Sequence, residues 1–370
     1  MPYITSHMPV FDQCFDAGLS AREAYKKLQS APSNGMPDFT IYAPLSKKSA
    51  LGWLGWAMMI PLYPAQSSVA KQLIGKFHPA HLDKIREMDR KEIESQGTHY
   101  TREVKIEKNG VSYCGLMMGR KEFLTNGKWI LQAMGRNCPI ERAARKCRSI
   151  YSEAGFNVLM INGPSIGRSQ GAATPHSLGE AQEAGICFLE TAVKAKQIAL
   201  AGHSIGGGVI GQAALQHAFR KDVDYLVIRQ STFDRIGNAV KSYVPFFKEA
   251  AKASIHSNSL EMDNVEASKR LEKLGIKEVI IQTSNRDVKR GGVPQIEDFE
   301  SDGVIVADAS LGYALVKEGV LGHKIFRCLP HLSHFDSKGY MQATIEELEA
   351  HFKPQPHPLR RWLTSFFLIP

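Results

Sequence analysis

The chain has 370 residues, 43% hydrophobic and 22% charged, which suits one large core with an appendage and excludes global disorder. Its formal charge of +9 gives a basic surface, but no Lys/Arg-rich run interleaved with aromatics accompanies it, which argues against nucleic-acid binding. The six cysteines (Cys14, Cys114, Cys138, Cys147, Cys187 and Cys328) include no C-x-x-C pair; this argues against a zinc or disulfide framework and predicts a reducing, cytoplasmic compartment.

Residues 1–100 read as a helical N-terminal extension, with a helical stretch at Leu82–Glu94, several prolines and little strand signal. The opening MPYITSHMPVFDQ lacks the basic-then-apolar order of a secretory signal. Leu51–Pro64 is apolar but too short to span a bilayer, and Pro61 and Pro64 interrupt it. A helix packed on the domain is the favoured reading of that stretch; peripheral membrane contact is the alternative. The apolar end Trp362–Ile369 lies in a C-terminal tail, residues 354–370.

Residues 101–353 alternate between two periods. Strand-like runs fall at Glu103–Ile106, Ser112–Met118, Trp129–Met134, Asn157–Ile161, Gln197–Ala201, Tyr225–Ile228, Glu278–Gln282 and Lys324–Leu329. Helical patterns fall between the later ones, at Ile140–Ala154, Ser177–Lys194, Ile205–Phe219, Ala307–Glu318 and Gly339–Phe352. Asn109-Gly110 predicts a hairpin between the first two runs. The expected fold class is therefore α/β: a mostly parallel, eight-stranded sheet flanked by helices. Residues 231–275 read as a cap-like insertion, with Tyr243, Val244, Phe246 and Phe247 clustered beside Pro245. Such an aromatic cap suits an apolar acyl or alkyl group.

The sharpest signal is Gly202-His203-Ser204-Ile205-Gly206 between the strand-like QIALA and a small-residue helix. A serine held on so tight a strand-to-helix turn crowds the positions two before and two after it, which only glycine fills without a clash. Gly206-x-Gly208-x-x-Gly211 also satisfies a dinucleotide fingerprint. Four residues separate its first glycine from the strand, however, and the next strand runs into Arg229, Gln230 and Ser231 rather than an acid.

A serine hydroxyl needs a base, and the base an orienting carboxylate. His334 follows the last strand and precedes the last helix, and is preferred to its neighbour His331. Two acids are candidates: Asp302, just before the helix at Ala307, and Asp287, soon after the preceding strand. The polar stretch Val288–Ser301 between them reads as an insertion lying on either side of the acid. Backbone amides of Ile205 and of Arg136 or Asn137, in the loop after the third strand, are the candidate oxyanion hole.

Together these segments resemble the α/β-hydrolase superfamily over roughly residues 103–352. Phe156–Gly163, followed by Gly167–Gly171, resembles the fourth strand and next loop of many members. Within the superfamily the chain is similar to hydrolase-like proteins of intracellular bacteria, including the chlamydial group called CHLPS. The resemblance implies a Ser-His-Asp triad at Ser204, His334 and Asp302 or Asp287, and hydrolysis of an ester, thioester or amide in a small-molecule acyl substrate. The oxyanion loop lacks the His-Gly pair usual in the family, and the acid loop is extended. No pattern calls for a cofactor or metal. The other class of reading is a non-catalytic, hydrolase-shaped interaction or effector protein, secreted or membrane-associated.

Overall fold

In the computed structural model the described residues are 3–5, 38–42, 97–135, 138–239 and 260–352. Leu51–Pro64, Leu82–Glu94, Tyr243–Phe247 and the tail 354–370 lie outside them. Ten strands form one sheet: β1 (Tyr3–Thr5), β2 (Asp38–Tyr42), β3 (His99–Lys108), β4 (Val111–Arg120), β5 (Lys128–Ala133), β6 (Asn157–Ile161), β7 (Gln197–His203), β8 (Asp224–Gln230), β9 (Lys277–Ser284) and β10 (Lys324–Pro330). Their order is β1-β2-β3-β4-β6-β5-β7-β8-β9-β10. The last eight correspond to the runs expected from sequence; β1 and β2 add an edge within residues 1–100, where only helix was expected.

The expected hairpin joins β3 to β4, with Lys108 opposite Val111. Asn109 and Gly110 turn it at φ 53° and 76°, the left-handed pair a two-residue hairpin requires. From β6 to β10 every neighbouring pair is parallel, and each such connection needs a crossover. The crossover helices are α1 (Ile140–Glu153), α2 (Pro175–Thr191), α3 (Ile205–Gln216), α4 (Asn264–Lys273) and α5 (Leu311–Lys317); α6 (Ser337–Phe352) follows β10. Residues 264–273, included in the cap-like insertion on sequence grounds, are thus the β8-to-β9 crossover. The Asp263 side chain caps α4 by accepting from Glu266 N.

Alternation along the central strands splits the core in two. Trp129, Leu131, Ile198 and Leu200 face α2 and α3, where they meet Ala181, Ala184, Phe188, Ile210 and Ala213. Ile130, Ala199 and Ala201 face the other way, onto Ala144, Cys147 and Tyr151 of α1 and Tyr340, Ala343 and Leu348 of α6. Burial on both faces is why β6 reads as an unbroken apolar run after Asn157. Strand β5 has β6 on one side and β7 on the other, so the crossovers leave in opposite directions. A crevice opens beyond the carboxyl ends of strands at such a switch point.

Candidate active site

Ser204 sits where β7 hands over to α3, with φ 56° and ψ −123°, a conformation that costs about 1–3 kcal/mol for a residue with a side chain. The turn is over-determined. Ser204 N donates to Gln230 O at 2.9 Å and its carbonyl accepts from Gly207 N at 3.0 Å. Thr232 Oγ1 donates to the same carbonyl at 2.7 Å. A methyl group on Gly202 would lie 2.4 Å from Gly206 O, and one on Gly206 would lie 2.5 Å from Ala133 O.

His334 stands in the loop between β10 and α6, and its ring is buried. Nε2 lies 3.0 Å from Ser204 Oγ, and Nδ1 lies 2.8 Å from Asp302 Oδ2. His334 N also donates to Asp302 O at 2.8 Å, so side chain and backbone fix the pair together. Asp302 Oδ1 accepts from Val304 N at 2.9 Å and Ile305 N at 2.7 Å. Burial alone would raise the Asp302 pKa, but hydrogen bonds from His334, Ser231 and Ile305 outweigh it and hold the carboxyl below its ordinary value. Asp302 therefore accepts, Nδ1 donates to it, and the Nε2 lone pair is left facing the serine hydroxyl.

Two further residues shape the site, and the sequence had not singled them out. Ser231 follows β8 at φ 44°, donates its hydroxyl to Asp302 Oδ2 and lies 3.1 Å from His334 Nδ1. His203 donates Nε2–H to His334 O at 3.0 Å, and its ring lies 4.9 Å from that of His334 and 5.2 Å from Tyr340. Burial, with His334 close by, lowers the His203 pKa to about 4. The signal for Ser231 was its place at the carboxyl end of the strand beside β7.

The chain matches the family described as Chlamydia CHLPS protein (DUF818) over residues 70–353. It belongs to this family. Among solved structures, the CHLPS-family chain is similar to an alpha-beta hydrolase from Vibrio vulnificus, with a TM-score of 0.54 and 14% identity, over 87% of this chain and 98% of that one. It also overlaps an esterase from Pyrococcus furiosus (TM-score 0.47, 15% identity, 76% of this chain and 96% of the esterase). A third is the 2-hydroxy-6-oxo-6-phenylhexa-2,4-dienoate hydrolase from Rhodococcus sp. strain RHA1 (TM-score 0.46, 13% identity, 70% and 100%). No curated protein matches the chain in sequence. The Vibrio likeness carries the fold alone: this CHLPS-family chain has the α/β-hydrolase fold.

Of the two candidate acids, only Asp302 meets His334. Asp287 is exposed. Its neighbour Val288 donates to Cys328 O at 3.1 Å, which leads the chain along β10 and away from the histidine. Val288–Ser301 therefore precedes the carboxylate that meets His334. His331 is exposed as well, with Nδ1 3.0 Å from Glu300 Oε2. Gly135, after β5, comes close to the serine: a methyl group there would lie 3.6 Å from Ser204 Cβ. Arg136 and Asn137 lie outside the described residues. Ile205 opens α3, so its amide has no partner within the helix.

Beside the serine, Ile205, Val304 and Val306 pack on an apolar cluster that includes Leu178, Val209, Phe233, Leu260, Met262 and Ile305. Phe335, next to His334, is 79% exposed, with its ring 5.4 Å from the imidazole. No helix among the described residues is long and apolar enough to cross a membrane.

Proposed function

We propose that this chain is a serine hydrolase acting on esters, thioesters or amides through an acyl-enzyme. One observation carries the reading: Ser204 Oγ, His334 and Asp302 form a continuous hydrogen-bonded line, with steps of 3.0 and 2.8 Å, on a strained turn that a relaxed chain would abandon. His334 Nε2 takes the hydroxyl proton as Ser204 Oγ attacks the carbonyl carbon. Asp302 stabilises the imidazolium that forms. The Ile205 amide and the loop after Gly135 donate to the oxyanion. His334 then returns the proton to the leaving alcohol, thiol or amine as the carbon–heteroatom bond breaks. Water, deprotonated by His334, releases the acid and restores Ser204. The apolar cluster around Ile205, Phe233 and Ile305 favours an apolar acyl group.

A fluorophosphonate probe tests the nucleophile. Labelling of the full chain that disappears in Ser204→Ala supports the reading; labelling that persists there removes Ser204 from the role. Hydrolysis of a p-nitrophenyl ester should fall about 10⁴-fold or more in Ser204→Ala, and by a similar factor in Asp302→Asn, which misdirects the imidazole. Asp287→Asn should leave the rate unchanged.

A further inference from the structure

At the far end of α3 from the serine, three groups of different chemistry converge beneath the surface. Glu183 and Cys187 are one turn apart on α2, and His217 is the residue that follows α3. All three are buried, and their ligating atoms lie within 4.8 Å of one another. Cys187 Sγ is 3.4 Å from Glu183 Oε1 and 3.9 Å from His217 Nδ1, and those last two atoms are 3.4 Å apart. A tetrahedral zinc centre, with bonds of ~2.0 Å to O and N and ~2.3 Å to S, has ligand-to-ligand edges of roughly 3.3–3.6 Å. The two separations to Glu183 Oε1 match such edges, and the Cys187–His217 pair, at 3.9 Å, has to close by roughly 0.3–0.4 Å to complete one face of the tetrahedron.

A second, independent feature points the same way. The other nitrogen of His217, Nε2, lies 2.8 Å from Glu190 Oε1, and that carboxylate is itself held by the Tyr225 hydroxyl. A carboxylate behind an imidazole fixes the tautomer and aims the opposite nitrogen at a metal. Phe219 closes the site, its ring edge-on to His217 at 4.8 Å. Lys108 pairs with Glu183 through Oε2, which leaves Oε1 to face the cluster. The rival occupant is a proton. Burial opposes charge on His217, but Cys187 and Glu190 more than offset it and hold the imidazole at about 9.

We propose that Glu183, Cys187 and His217 bind a zinc-class divalent cation that clamps α2 to the end of α3. Thiolate, imidazole and carboxylate together suit zinc better than a hard cation such as Mg²⁺. On binding, the thiol and the imidazole Nδ1 surrender their protons to solvent. The sequence hid this set because its ligands pair one cysteine with His and Glu rather than with a second cysteine. The inference is independent of the hydrolase reading.

The test uses the purified full chain after chelation, titrated with Zn²⁺ against a chromophoric competitor and with Co²⁺ by absorption. The expected result is about one tightly held ion per chain, a rise in Tm, and a cobalt–thiolate charge-transfer band. Cys187→Ser and His217→Gln, checked for folding by circular dichroism, should each weaken binding by about 100-fold or more. Glu190→Gln should weaken it by roughly 10–100-fold, and Cys328→Ser, in β10, should leave it unchanged. No stoichiometric uptake by the wild-type chain, or uptake indifferent to both ligand substitutions, overturns the proposal. Should the variants fail to fold, anomalous diffraction at the zinc edge from soaked wild-type crystals decides: a peak among the three side chains supports the site, and a peak elsewhere or none rejects it.

Discussion

At the residue scale, the carboxylate behind His334 does not stand alone. Ser231 Oγ donates to Asp302 Oδ2 and two amides serve Oδ1, so the oxygen facing the imidazole depends on Ser231 for its second partner. A hydrogen bond to a charged group contributes about 1.5–3 kcal/mol. Ser231→Ala should therefore lower kcat about tenfold while leaving KM nearly unchanged; steady-state kinetics on one ester decides, and an unchanged kcat makes Ser231 merely structural. His203 adds a pH effect. Its pKa is about 4 when folded, against ~6.5 unfolded, so the unfolded chain binds the extra proton first. The folded state is fully favoured above pH ~6.5, and that advantage is lost as pH falls towards 4. His203→Asn should flatten the decline in stability across this window, read as urea midpoints at pH 7, 6, 5 and 4.5. Curves parallel to wild type would contradict it.

At the element scale, β5, β7 and α3 meet so closely that their contact excludes a single methyl. Gly206→Ala would drive a carbon into Ala133 O, 2.5 Å away on β5, so strand and helix must part. A loss of about 1–3 kcal/mol or more should appear as a lower denaturant midpoint together with lost activity; a variant of wild-type stability would disprove the tight contact. This junction was legible in the sequence because the glycines and the flanking apolar run state the same geometry twice. Strands β6 and β7 were legible for a related reason, since burial on both faces leaves Val158–Ile161 and Ile198–Ala201 as unbroken apolar runs. Strands β1 and β2 were not: YIT and DFTIY are too short to establish a period. Helix α4 reads as part of the cap because its start signal, the N-cap Asp263, is a residue equally common in ordinary turns. The choice between Asp287 and Asp302 depended on where an insertion loop turns, which the bridge from Val288 to Cys328 determines and local sequence does not. Ser231 and His203 act through partners 71 and 131 residues away, beyond the reach of any motif.

At the scale of the whole molecule, α3 links the two sites. The strained serine precedes its first residue and His217 follows its last, roughly 20 Å apart along the helix. The sheet order places β5 and β7 side by side, so Gly135 and Ser204 come together although they are far apart in the chain. The serine-hydrolase reading, which rests on the line from Ser204 through His334 to Asp302, can be checked by trapping the covalent intermediate. The full chain is mixed with a p-nitrophenyl ester, quenched in acid within the first turnovers and mapped by peptide mass spectrometry. One acyl group is expected, on the peptide carrying Ser204 and on that hydroxyl. Continued hydrolysis with no acylated peptide, or an acyl group on Ser231 instead, would contradict it.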